Sequence, residues 1–151
     1  MNRYRVVVNG EPVPQGRPRL TTINGHARAY DPAKSRNYKQ LIKLMAQQHA
    51  PDKPTKNPVI LSVLIYRKIP KSFSKKKREQ IELGLLRPTT KPDVSNVIKG
   101  VEDALNGVWY KDDSQIVAYG KVGKWYSDTP RVEITMEVLG RFIKKLGVDK
   151  Q

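Results

Sequence analysis

The stretch VILSVLIY, residues 59–66, most constrains what this 151-residue chain can fold into. It is apolar on both parities apart from Ser62, which is the pattern of a strand covered on both faces or central in a sheet. Such a strand needs neighbours, and the chain offers three. Tyr4, Val6 and Val8 alternate before the Asn9-Gly10 turn. Residues 116–125 read as a glycine-containing strand, and Val132, Ile134, Met136 and Val138 alternate with Glu133, Thr135 and Glu137 as a strand buried on one side. The SDTP between these last two predicts a hairpin.

Helical spacing fills the gaps. Asp31-Pro32 is an N-cap and first-turn pair, after which Tyr38, Leu41, Ile42 and Met45 recur at helical intervals to about His49. In SFSKKKREQIELG, Ser74 can cap a short helix and Gly84 can stop it, with four consecutive cations at Lys75, Lys76, Lys77 and Arg78. Charge alone fits a solvated face there equally well. In GEPVPQGRPRL, three prolines and two glycines exclude regular structure and hold Arg17 and Arg19 on a stiff loop. Length and the 38% hydrophobic content suit one modest core, so residues 1–151 read as a single domain, a folded core at 1–140 and a short basic tail at 141–151. The chain has no cysteine, which excludes disulfides, zinc-thiolate sites and a cysteine nucleophile. MNRYRVVVNG lacks the apolar region of a signal peptide, and no apolar run approaches the roughly 18 residues of a membrane span, so the expectation is a soluble cytoplasmic protein with no membrane partner.

The charge is distributed unevenly. The formal net charge is +15, yet residues 91–113 hold Asp93, Glu102, Asp103, Asp112 and Asp113 against Lys91, Lys99 and Lys111, a net of −2 that leaves +17 for the rest. The basic remainder suits a polyanion such as nucleic acid. Within the acidic island, Val97, Ile98, Val101, Ala104 and Leu105 share one helical arc, while Ser95, Asn96, Lys99, Glu102, Asp103 and Asn106 share the opposite one. Ser95 is a natural N-cap and Asn106-Gly107 a natural stop. Asp93 then stands just before the helix N-terminus, where the dipole favours an anion. If the VWYK link folds back, Asp112 or Asp113 can approach Asp93 and the polar face.

Hard oxygen ligands on a rigid element suit Mg²⁺ or Mn²⁺, which keep waters and share positions with substrate phosphates. Lys99 could then stabilise charge developing on a phosphate. A polar helix face with Glu102 and Asp103 paired to Lys99 accounts for the same pattern without a metal. His26 and His49 lie far apart and match no motif, and Trp109 and Trp125 are read as packing residues.

KPDVSNVIKGVEDALNGVWYKDDSQIV also resembles the core of the RusA family of Holliday-junction resolvases, in which KPD-x-D-N-x-x-K precedes DALNG and DDSQV. PVPQGRPR, AYDPAKSRNYKQ and SFSKKKREQ follow the family order as well. The resemblance implies an α+β fold, a small mixed sheet of about four strands with helices packed against it. It also implies a Mg²⁺-dependent endodeoxyribonuclease of recombination and repair, with Mn²⁺ as a substitute and no small-molecule cofactor. Such an enzyme acts as a homodimer that makes paired nicks across a four-way junction. By position, Asp93, Lys99 and Asp113 carry the family's catalytic aspartate, lysine and distal aspartate. Ser95 stands where many members have a second aspartate, so Asp103 is the candidate to complete the metal ligands, with Asp112 and Glu102 behind it. Arg17, Arg19, Lys75, Lys76, Lys77 and Arg78 would contact DNA phosphates. A branched-DNA binding protein with weak or lost catalysis, marked by Ser95, is the alternative.

Overall fold

In chain order the backbone forms β1 (Asn2–Asn9), β2 (Arg19–Ile23), β3 (His26–Tyr30), α1 (Ala33–Gln47), β4 (Val59–Lys68), α2 (Lys75–Glu82), α3 (Val94–Leu105), a 3₁₀ turn (Asp113–Gln115), β5 (Ile116–Ser127) and β6 (Arg131–Val138). The computed structural model describes residues 2–16, 19–30 and 33–140, with all of their side chains except those of residues 19–21, 23 and 27–30. Arg17, the Asp31-Pro32 cap and the basic tail lie outside the described residues, as does the side chain of Arg19.

The main sheet has the order β1-β6-β4-β5, with β4 parallel to β5 and antiparallel to β6, and β6 antiparallel to β1. This is the mixed four-stranded α+β arrangement the sequence suggests. The apolar run takes a central position: Val59, Leu61, Val63 and Ile65 are fully buried, and the alternate residues of β4 are half-buried. The expected hairpin between β5 and β6 does not form. β4 lies between them, and the Ser127-to-Arg131 link passes over its end, held by Ile69 N–H donating to the Ser127 carbonyl at 3.3 Å. β4 is the most apolar strand, and the interior slot buries it against two neighbours instead of one.

Tyr38, Ile42 and Ala46 of α1 and Val97, Val101, Ala104 and Leu105 of α3 join the buried residues of β1, β4 and β6 in one core. Both helices therefore cover the same face of the sheet. α2 buries none of its residues. It is held at its start by Ser74, whose hydroxyl accepts from Lys77 N–H at 3.2 Å, and it ends before Gly84 at φ 76°, as the sequence predicts. The proline-rich segment gives way to regular structure sooner than expected, because Arg19 opens the β2–β3 hairpin. Its signal is Asn24-Gly25, whose φ values of 53° and 79° suit a tight two-residue turn.

Candidate functional site

β4, α2, α3 and β5 form a crossover between parallel strands, so α3 starts near the C-terminal end of β4 and finishes near the start of β5. Its apolar arc is buried at Val97, Gly100, Val101, Ala104 and Leu105, which turns Ser95, Asn96 and Lys99 to solvent and leaves Glu102 and Asp103 half-exposed. Burial of one arc thus fixes where the polar arc points. The N-cap is Asp93, not Ser95: the Asp93 carbonyl already accepts from Val97 N–H at 3.2 Å, so Ser95 lies inside the first turn.

Two loops meet at the start of α3. Residues 11–16 dock through Gln15 N–H, which donates to the Asn96 carbonyl at 3.0 Å. Residues 90–92 are held by cations of the parallel strand pair: Lys124 Nζ donates to the Thr90 carbonyl at 2.6 Å and to the Pro92 carbonyl at 3.0 Å, and Arg67 donates to the Lys91 carbonyl. Arg67 also faces Glu11 at 3.7 Å, and Glu11 accepts from Lys68 N–H at 3.0 Å, so both loops are tied to the end of β4. Between them lies a cleft of about 500 Å³ lined by Pro14, Gln15, Lys91, Pro92, Asp93 and Asn96. The Asp93 side chain is exposed and makes no capping hydrogen bond.

At the other end of α3 the chain does fold back. Val108, Trp109 and Tyr110 are buried, Trp109 Nε1 donates to the Ala46 carbonyl at 3.0 Å, and Thr55 exchanges backbone bonds with Trp109 and Lys111 at 3.0 and 3.1 Å. The Tyr110 hydroxyl donates to the Glu102 carbonyl at 2.8 Å, and the Tyr119 hydroxyl donates to the Glu102 carboxylate. That bond, with some burial and the charges of Glu102 and Asp113, pushes the Tyr119 hydroxyl up to about 12. Burial raises Tyr110 further, helped by Glu102, Asp113 and Asp103. Asp113 therefore lies on the Glu102 side of the helix, and Asp93 is the N-cap at its start, nine residues before Glu102. The link is pinned to residues 55–57 and to α1, and Asp113 comes to the Glu102 side of the helix face.

Asp112 spends its carboxylate on a cap. It accepts from Ser114 N–H at 3.0 Å, and the Ser114 hydrogen bonds hold it below the usual carboxylate range. Among the described residues, Asp93, Asp103, Asp113 and Lys99 have no side-chain hydrogen bond or ion pair, so Lys99 is not neutralised by Glu102 or Asp103. No three Asp, Glu or His side chains among the described residues gather to hold an ion between them. The donor type fits Mg²⁺ or Mn²⁺, and an open site suits an ion that completes its octahedron with waters and phosphate oxygens. His26 and His49 are exposed and belong to no such group among the described residues, and Trp109 is core.

Lys75, Lys76 and Lys77 are exposed on α2. Lys77 rests over Phe73 at 4.8 Å and Arg78 faces Asp128 at 3.6 Å, which leaves Lys75 and Lys76 without partners among the described residues. Phe73 packs edge-on against Tyr126 of β5, placing α2 at the same end of the sheet as the cleft. Sequence reasoning missed Gln15, Arg67, Lys124 and Tyr119. Their roles arise from contacts 17 to 81 residues apart that no local pattern announces.

The family described as Endodeoxyribonuclease RusA matches residues 9–137. A relative, Uncharacterized protein YqaN of Bacillus subtilis (strain 168), is 54% identical over 136 residues, which cover 89% of this chain and 95% of the relative.

Proposed function

Given that the chain belongs to the RusA family of endodeoxyribonucleases, we propose that it cleaves four-way DNA junctions by Mg²⁺-dependent phosphodiester hydrolysis, with Mn²⁺ as a substitute. The observation that carries this reading is the exposed face of α3. In a chain of net charge +15, this face has Asp93 at its start, Lys99 within it and Asp113 of the 3₁₀ turn on its Glu102 side, all three without a side-chain hydrogen bond or ion pair among the described residues. An acidic island gains nothing from nearby DNA phosphates unless a cation joins them. Asp93 would offer its carboxylate to a metal ion at the start of the helix, and Asp113 and Asp103 would offer theirs on the Glu102 side, while Asp112 keeps its cap. A bound ion would supply Lewis-acid polarisation of the scissile phosphate and a more acidic water. Lys99 offers its ammonium to a phosphate oxygen and to the charge that develops there. Lys75 and Lys76 on α2 position the DNA backbone without reading its sequence.

A twofold junction is resolved by two equivalent sites, so the working particle is a homodimer, measurable by sedimentation with and without DNA. The test of the reaction is nicking of a synthetic four-way junction with and without Mg²⁺. Paired nicks only with the ion support the reading. Ser95 favours a second one: it is exposed at the position where the resemblance to the family core implies a second aspartate, and no three acids converge among the described residues. A parent that binds junctions but never cuts, alongside an active Ser95→Asp variant, would establish a branched-DNA binder instead.

A further inference from the structure

We propose that Lys124 is a positioning residue that holds the Asp93 carboxylate in place through the backbone of residues 90–92. This rests on the reading of Asp93 as a reactive-site acid. Asp93 has no side-chain hydrogen bond or ion pair among the described residues, so nothing but its backbone fixes where its carboxylate stands. On its C-terminal side that backbone is the first turn of α3. On its N-terminal side it is an irregular segment with no ladder to satisfy its carbonyls: Thr90 and Lys91 are exposed, whereas Pro92 is buried, and a carbonyl withdrawn from water needs a donor.

Those donors are cations from the parallel strands. Lys124 Nζ bridges the Thr90 and Pro92 carbonyls at 2.6 and 3.0 Å, and Arg67 takes the intervening Lys91 carbonyl. Three successive carbonyls leading to Asp93 are thus each held by a charge-assisted bond from β4 or β5. A compact ammonium with three donors suits a bridge between two carbonyls on either side of a residue. Lys124 is itself anchored: its carbonyl accepts from Arg87 Nε at 3.0 Å, and the Arg87 guanidinium lies 4.3 Å over Trp125. Lys124 faces no carboxylate among the described residues, so its charge is directed to the loop alone.

The experiment compares Lys124→Met, Lys124→Arg and Asp93→Asn on a labelled four-way junction, reading kcat, junction Kd and the Mn²⁺ affinity of the protein without DNA by electron paramagnetic resonance. Groups that orient ligands from behind change metal affinity or rate by about 10- to 100-fold. Lys124→Met is expected to lower kcat and weaken Mn²⁺ binding within that range while junction Kd changes less than roughly threefold, since one loop-facing cation adds little to phosphate binding. Lys124→Arg, which can still donate to both carbonyls, is expected to recover most of the loss. The double variant with Asp93→Asn should lose nothing beyond Asp93→Asn alone. If Asp93→Asn abolishes cutting while a folded Lys124→Met keeps parental kcat and Mn²⁺ affinity, the proposal is wrong and the reading of the site stands. If Asp93→Asn cuts normally, the reading itself fails. Should Lys124→Met not fold, an unchanged kcat in Lys124→Gln, which cannot bridge both carbonyls with equal charge, overturns the proposal just as well.

Discussion

The two ends of α3 carry the same kind of side chain in opposite settings. At the start, Asp93 hangs from a backbone pinned by Lys124, Arg67 and Gln15, with a free side chain in an open cleft. At the finish, Glu102 is bound by the Tyr110 and Tyr119 hydroxyls, and Asp113 follows a link buried at Trp109 and Tyr110. The first end is positioned by loops and can change its acid without disturbing the core. The second is wired into the core, so chemistry and stability are coupled there.

That contrast breaks most visibly at Trp109. The ring is fully buried and its indole N–H is satisfied by the Ala46 carbonyl, so Trp109→Ala should cost about 3 to 5 kcal/mol in chemical denaturation. Asp93→Asn should stay within about 0.5 kcal/mol of the parent, as an exposed change away from packing does. Equal losses would mean that the two ends are not differently supported. A smaller effect sharpens where DNA lies. α2 shares its end of the sheet with the cleft, so neutralising Lys75 and Lys76 together should reduce the slope of log affinity against log salt by about 2. An unchanged slope would take the DNA off that end.

The smallest effect concerns Tyr119. Its hydrogen bond to Glu102 pushes the hydroxyl up to about 12, against an ordinary tyrosine value near 10. The folded state therefore keeps a proton that the unfolded state releases. This contribution is complete below about pH 10 and is lost as pH rises towards 12. Tyr119→Phe should flatten part of the alkaline fall in stability and cost less than about 1 kcal/mol at neutral pH, because the pair is half-exposed. Tyr110 and Tyr38 are also raised, chiefly by burial, and act in the same direction.

What was legible in the sequence follows from what local patterns encode. The apolar run of β4, the amphipathic arcs of α3 and the Ser74 cap are properties of neighbouring residues, and each was readable. The partners of β5 and β6 were not, because two strands joined by a short link look like a hairpin whether or not a third strand enters between them. The acids of the island were legible as a set, but their division between the ends of α3 depends on where the Trp109 link docks. Lys124 is one cation among the 29 Lys and Arg of the chain, and only its two carbonyl partners, more than 30 residues away, set it apart.

The most direct test of the account is Asp113→Asn measured beside the parent on one four-way junction, binding without divalent ions and cutting with Mg²⁺. The substitution keeps the size of the side chain and removes a free anionic ligand while the basic surface stays intact. Binding should remain within roughly threefold of the parent or tighten slightly, since one charge facing the phosphates is gone. Cutting should fall by roughly 100-fold or more, the scale of losing a group that acts on transition-state charge. An Asp113→Asn variant that cuts at the parental rate would contradict the assignment of the α3 face as the place where the phosphodiester is broken.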